Sequence, residues 1–349
     1  MFFYVIIGTP RRGIAQLVEH WSPKPGVVGS SPASPAIQDS KGSYFYAIMK
    51  TLMDYTELER IRIAYNNKKK EMAKKSFIIV GGIFLIVLAA SGSTSLLFPF
   101  LLQIIIIGSI ATLIATSLGA RKEAESYRNA YKNYFITSTF NSVFTDLKYD
   151  HNAAMPSTIL SNTGMIRMGN RYSSNDYTIA KYKGIPFAQA DVHIEVEHTD
   201  SDGDTTYETI FRGRYITFDF NKKFDKKLLV ASKNFHAERC DSSFKKIELE
   251  SIEFNKHFDV YAQDGFEAFY LLNPAVMERI EKLAYLYNGN VFVGFANRKI
   301  HIAINNNTDS FEPASSNAPI DEQREFSKVM DDIKVITNIV DELKLVKEK

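Results

Sequence analysis

Apolar and polar positions change rhythm several times along this chain. Two uncharged apolar runs, residues 76–90 and 96–118, stand almost back to back with only a short SGSTS stretch between them. About 18 or more uninterrupted apolar residues suffice to cross the hydrocarbon core of a bilayer as a helix. The second run meets that length, and the first falls slightly short unless Ser93 and Thr94 are drawn in at the interface. The pattern predicts a two-helix transmembrane hairpin over 76–118. Ahead of it, Leu58, Ile61 and Tyr65 recur at steps of three and four, which predicts a short amphipathic helix within 49–75. Thr56 followed by Glu59 has the spacing of a capping box at its start.

Behind the second run, Tyr127, Tyr131 and Phe135, then Phe140, Val143 and Phe144, fall on recurring faces and predict a helical stalk over 119–150. His151 to Pro156 ends it. The period then shortens to two. DYTIAKYKGIPFAQADVHIEVEHT and YETIFRGRYITFDF alternate apolar and polar residues as strands do, and Asp202-Gly203 between them supplies a hairpin tip. KLLVASKNF and KKIELESIEFNKHFDVYA are read as further strands. A helix over 265–287, interrupted near Pro274, precedes a second hairpin, VFVGFANRKIHIAIN, turning at 296–298. A loop follows, and a last helix covers 321–346. Strands first and helices afterwards, joined mostly by hairpins, predict an α+β domain with an antiparallel sheet over 151–319 and C-terminal helices, the last an amphipathic helix within 320–349.

Charge adds orientation. Lys68, Lys69, Lys70, Lys74 and Lys75 lead up to the first apolar run, Arg121, Lys122, Arg128 and Lys132 follow the second, and the connection carries no charge. Short flanks rich in Lys and Arg stay on the cytoplasmic side of a membrane. The expectation is a two-span membrane protein with both termini in the cytoplasm. The formal net charge of +2 gives no global field of the kind nucleic-acid binding requires. Cys240 is the sole cysteine, which excludes an intramolecular disulfide framework and a Cys-rich zinc module.

The opening segment has no periodicity of either kind. Back-translated, IAQLVEH resembles the D-arm of a transfer RNA gene and VVGSSP its T-arm. The codons between them, including the single codon of Trp21, can form a stem around a loop holding CCA. Residues 1 to about 48 are accordingly expected to be a spurious, disordered extension of the reading frame, with translation starting at Met49 or Met53.

Five segments resemble a bacterial family labelled domain of unknown function 3137. They are GNRYSSNDY, KGIPFAQADV, ETIFRGRYITFDFNKKF, FNKHFDVYAQDGFEAFYLLNPAVMERI, and VFVGFANRKIHIAI running into DSFEP. They occur in the family's order between residues 123 and 313. The resemblance implies an inner-membrane protein with an N-terminal membrane hairpin and a cytoplasmic domain, and brings no assigned activity or ligand. Members are often encoded beside proteins of the LemA type, which implies a membrane-associated partner.

The chemistry-bearing residues support binding over catalysis. Asp200, Asp202 and Asp204 space like the start of a calcium loop, but the sixth and twelfth places of an EF-hand fall on Thr205 and Phe211, so a solvated hairpin tip is expected. His193 and His198 lie an odd number apart on a strand and face opposite ways. His236 and Cys240 have no second pair. Phosphate-cradling glycine loops, a serine elbow and zincin motifs are missing, so no catalytic, cofactor or metal residues are assigned, no cofactor is expected, and the chain is not read as an enzyme.

Two candidate contact sets remain. Lys222, Lys223, Lys226 and Lys227, in a presumed turn near Arg212 and Arg214, could meet anionic lipid headgroups, each cation contributing about 1 kcal/mol. Phe326, Val329, Ile333, Ile336, Val340 and Leu343 step by three and four along the last helix, as an interaction seam or as a face packed on the chain's own sheet. The expected function is a membrane-anchored cytosolic binding or scaffold module. A lipid-headgroup or small-ligand sensor is the alternative, and a tethered hydrolase or transferase the least favoured. Membrane lipids, a membrane-associated protein or a second copy of the chain are the expected partners, and nucleic acid is not.

Overall fold

The structure is a computed structural model that describes residues 38–90, 98–219, 226–313 and 315–343. The chain divides into two units, one of Met1–Tyr134 with Ala314–Ser327 and one of Phe135–Pro313 with Lys328–Lys349. Most of the proposed N-terminal extension, residues 1–37, lies outside the described residues, as do Lys222 and Lys223.

In the first unit a single helix, α1 (Gln38–Ala90), replaces the separate basic helix and first apolar run read from the sequence. No helix starts at Thr56, so no capping box forms there. Arg60–Glu57 and Lys75–Glu71 ion pairs at i,i+3 and i,i+4 brace its polar length instead. Glu59 turns to the far end of the chain and accepts the Ile320 N–H at 2.7 Å. It also pairs with Arg62 at 2.8 Å. That guanidinium, 6% exposed, donates to the Ser316 carbonyl at 2.7 Å. A charge pair so placed joins segments more than 250 residues apart in sequence.

α2 (Phe98–Gly119) returns beside α1. A Cβ at Gly108 would meet Ile83 at 3.0 Å, and one at Gly119 would meet the Met72 side chain. Residue numbers rise on one helix as they fall on the other, so the two run antiparallel. The missing side chains let them approach closely, as small residues do between membrane helices. Within α2 the Ser109 and Thr112 hydroxyls donate to the carbonyls of Ile105 and Gly108, which satisfies them without water.

α3 (Arg121–Tyr131) buries Tyr127 and Tyr131. It runs into a π-helical turn (Lys132–Thr137) and then α4 (Ser138–Val143). The aromatic spacing foretells that turn: Phe135 to Phe140 is a step of five where the neighbouring steps are four, and a π-turn accommodates one extra residue. The predicted stalk ends earlier than expected, because residues 145–150 leave the helix as strand β1 (Thr145–Asp150). Lys132, counted among the flanking charges, is 1% exposed and belongs to the interior.

The second unit is built on an antiparallel sheet, in the α+β arrangement the sequence predicts. Its strands are β1, β2 (Arg171–Tyr182), β3 (Ile185–Thr199), β4 (Thr205–Asp219), β5 (Leu228–Ser232), β6 (Lys245–Ile247), β7 (Phe258–Ala262), β8 (Val291–Ala296) and β9 (Lys299–Ile304). They lie in the order β1-β2-β3-β4-β9-β8-β5-β7-β6. Left-handed backbone at Lys183-Gly184 and at Asn297-Arg298 makes the tight β2–β3 and β8–β9 turns, the geometry whose twist matches flanking strands. The short helix α5 (Thr158–Ser161) lies between β1 and β2. The stretch 245–262 is not continuous strand: α6 (Ile252–His257), capped by the Ser251 hydroxyl, divides β6 from β7. The interrupted helix separates at Asn273 into α7 (Gly265–Leu271) and α8 (Pro274–Leu286), with proline in the first turn as expected. α9 (Glu322–Glu342) is the last described helix. Phe235 sits at the centre of the sheet core, its ring 5.3 Å from Phe292 and 6.1 Å from Phe211.

Candidate functional site

Cross-strand register assembles a buried polar row that no local pattern announces. Asn175 on β2 pairs with Asp191 on β3, Asp191 with Arg214 on β4, and Arg214 with Ile304 on β9. Register shifts between Asn175 and Thr178, where Asp176 takes left-handed backbone (φ 55°) and is fully buried beside the row. Gly213 allows the row to close: its φ is 157°, and a Cβ there would stand 2.0 Å from the Ile304 carbonyl oxygen. The loop after β9 completes the group. The Ser310 N–H donates to Asp191 Oδ2 at 2.9 Å, and Asn175 donates to Asp176 at 3.0 Å and to Asp309 at 3.1 Å. The Tyr149 hydroxyl also donates to Asp176.

Arg214 is 3% exposed, with its guanidinium directed mainly to α9. It donates to the Asp332 carbonyl at 2.6 Å, lies 3.6 Å from that residue's carboxylate, and stacks 4.8 Å from the Phe311 ring centre. Asp191 Oδ1 is therefore left 4.0 Å from Arg214 Nε with no hydrogen-bond partner. Burial pushes the Asp191 carboxyl up to about 7 against the pull of Arg214, with Asp176 and Asp309 adding to the rise. A cavity of about 260 Å³, lined by Arg214, Asp309, Ser310 and Lys328 among others, opens beside the group.

A second surface lies on the helices between β6 and β8. Asp264 caps α7 by accepting the Phe266 and Glu267 N–H groups, and Ala268 and Leu271 face inward. Phe266 (83% exposed), Phe269 and Tyr270 (72%) are left pointing outward. Lys226 and Lys227 adjoin this helix: their N–H groups donate to Glu267 at 3.2 Å and Gln263 at 3.0 Å. A mixed-charge groove of about 920 Å³, lined by Lys233, Lys256, Glu281, Tyr285 and Glu342 among others, lies along α6 and α8.

The residues singled out by sequence meet different fates. Arg214 is not part of a surface basic patch, because the sheet buries it beside Asp191 and Asp332. Lys227 Nζ donates to the Asn162 carbonyl at 3.0 Å, and Lys226 is exposed. Of the six residues on the last helix, Val329, Ile333, Ile336, Val340 and Leu343 are buried in the folded chain and Phe326 is half-buried, its ring 5.9 Å from Tyr134. His193 pairs with Glu195 at 3.5 Å and His198 with Glu208 at 3.6 Å. His236 and Cys240 lie in a loop, where burial pushes the Cys240 thiol up to about 12. Asp200 accepts the N–H groups of Asp202 and Asp204, so its carboxylate shapes the hairpin tip.

Among the described residues, no helix is long and apolar enough to cross a membrane. Many described side chains of 76–118 are nonetheless apolar and outward-facing: eleven large ones are exposed, including Phe77 (82%), Ile78, Leu85, Ile107, Ile114 and Leu118.

Fold and polar row together define an α+β protein on an antiparallel sheet with a charged group set inside it. Residues 209–345 match the model of a family described as a protein of unknown function, DUF3137, which supports the resemblance read from the sequence. No curated protein matches the chain. Among solved structures, the crystal structure of the mycobacterial trehalose monomycolate transport factor A, TtfA, is similar over 63% of this chain and 98% of its own, with 8% identity and a TM-score of 0.32. A likeness that slight carries no argument.

Proposed function

We propose that the chain is a membrane-anchored module of the bacterial inner membrane, held by the antiparallel pair α1–α2 and acting by binding through its α+β unit on the cytoplasmic side. The observation that carries this is the eleven exposed apolar side chains on the apolar lengths of that pair. In water their exposure forgoes on the order of 10 kcal/mol of burial free energy, at about 1.5–3 kcal/mol for each such side chain fully buried. Lipid supplies the missing environment, and the self-bonded Ser109 and Thr112 hydroxyls suit one without water. Fractionation of native cells tests the anchor: the full-length protein should pellet with membranes, resist alkaline extraction and enter detergent. Recovery in the high-speed supernatant refutes it. Protease added outside intact spheroplasts should leave the α+β unit uncut, and trimming would refute the orientation.

Lipid-headgroup recognition is the second reading, supported by α7. An outward aromatic face next to Lys226 suits the polar–apolar boundary of a membrane, where aromatic rings and cations both gain. Co-sedimentation with anionic and neutral vesicles separates it from protein binding. Loss of preference for the anionic vesicles in the F266S/Y270S variant supports headgroup contact, and equal sedimentation of both proteins rejects it.

A further inference from the structure

We propose that Asp176, Asp191 and Asp309 bind a calcium ion that ties the loop after β9 to the β2–β3 edge of the row. Oxygen atoms from the three carboxylates lie within 4.8 Å of one another. Calcium takes oxygen ligands at about 2.3–2.6 Å, so two of them can stand up to about 5 Å apart across the ion, whereas magnesium at about 2.0–2.1 Å limits that span to about 4.2 Å. Separations within 4.8 Å fall inside the span that calcium can bridge.

Three carboxylates in proximity are common without an ion, and the Asp191 side chain supplies the separate observation. It is 4% exposed, and its Oδ1 has no hydrogen-bond partner. A buried carboxylate oxygen left bare loses its hydration and gains nothing in return. The nearest cation does not repair this, because Arg214 directs its N–H groups to the Asp332 carbonyl and rests on Phe311. The second oxygen of Asp191 is fixed by Ser310, so Oδ1 is held in place. Asn175 donates to both Asp176 and Asp309 and so holds two carboxylates side by side, with the Tyr149 hydroxyl also donating to Asp176. A divalent cation held by the three carboxylates offsets the repulsion and gives the buried Asp191 carboxylate a partner. Asp309, the exposed member, gives the ion its way in from solvent.

The hairpin tip at Asp200, Asp202 and Asp204 is the competing place for calcium, and the experiment keeps the two apart. Isothermal titration of the full chain in detergent with calcium chloride should show one binding event. Asp309→Asn should weaken it roughly tenfold or more, and Asp202→Ala should leave it unchanged. Magnesium chloride should bind more weakly than calcium. Because Asp309 is exposed, its amide variant retains the fold, which circular dichroism checks; Asp191→Asn, isosteric at the buried position, should abolish binding. Absence of calcium binding to the parent protein overturns the proposal. So does binding that survives both Asp309→Asn and Asp191→Asn, or binding lost in Asp202→Ala.

Discussion

Replacing His301 with glutamine removes a titratable group from the centre of the sheet while offering the same two hydrogen bonds. The imidazole lies on β9, 2% exposed, with Nδ1 3.0 Å from the Tyr215 hydroxyl and Nε2 3.3 Å from the Ala296 carbonyl. The neutral tautomer fits both: Nδ1 accepts from Tyr215 and Nε2 donates to Ala296. Burial pulls its pKa down to about 4 from an ordinary 6.5, opposed by the Ala296 bond and assisted by Lys299 and Lys227. The unfolded chain therefore takes up this proton before the folded one does. Stability from this group is complete above pH 6.5 and is lost as pH falls toward 4, by about 3 kcal/mol at 1.36 kcal/mol per pH unit. Asp191 has the opposite sign. Its raised pKa makes the folded protein gain a similar amount over the fall from pH 7 to 4. The parent curve alone would look nearly flat, so the difference between parent and His301→Gln must be read, in chelator. Urea unfolding in detergent, followed by far-ultraviolet circular dichroism, should show the parent losing about 3 kcal/mol relative to the variant between pH 6.5 and 4. A difference constant across that range refutes a buried neutral histidine.

Three other perturbations follow from particular contacts. Gly108→Leu drives a side chain into Ile83 and should separate α1 from α2, which a lower disulfide yield between Met72→Cys and Gly119→Cys in a Cys240→Ser background would report. Gly213→Ala places a Cβ on the Ile304 carbonyl and should cost about 3 kcal/mol, seen as a lowered thermal midpoint. Glu59→Ala leaves the Ile320 N–H without its acceptor and the buried Arg62 without its carboxylate, with only the Ser316 carbonyl still accepting from it; a loss of about 2–4 kcal/mol is expected, with faster hydrogen exchange at Ile320.

Local pattern carried the reading of the second unit a long way. Alternation marked 176–199, β4, β8 and β9 as strand, and Asp202-Gly203 and the stretch 296–298 as turns, because each is decided within a few residues; the turn at Lys183-Gly184 that divides 176–199 into β2 and β3 was not read. The step of five between Phe135 and Phe140 was equally visible, although its meaning as a π-turn was not drawn from it. What stayed hidden depends on partners distant in sequence. Thr56 and Glu59 satisfy a capping rule, yet Glu59 serves residues beyond 315 because those fold back beside it. Arg214 reads as one of several surface cations until register sets it against Asp191. The short strand β6 and helix α6 hold too few residues for either period to declare itself. The polar row is the clearest case. Asn175, Asp176, Asp191, Arg214 and Asp309 lie in four of the segments that resemble the family, but only the bulge and the pairing of three strands bring them together.

The antiparallel course of α1 and α2 bears on how such a protein is made. A chain that enters and leaves the lipid on one side need not pass its sheet, its charges or its folded mass through the bilayer. On the anchoring proposed above, only the uncharged turn between the two runs has to reach the opposite face. Biogenesis then requires no export of a folded domain, and the ribosome can complete the sheet where it emerges.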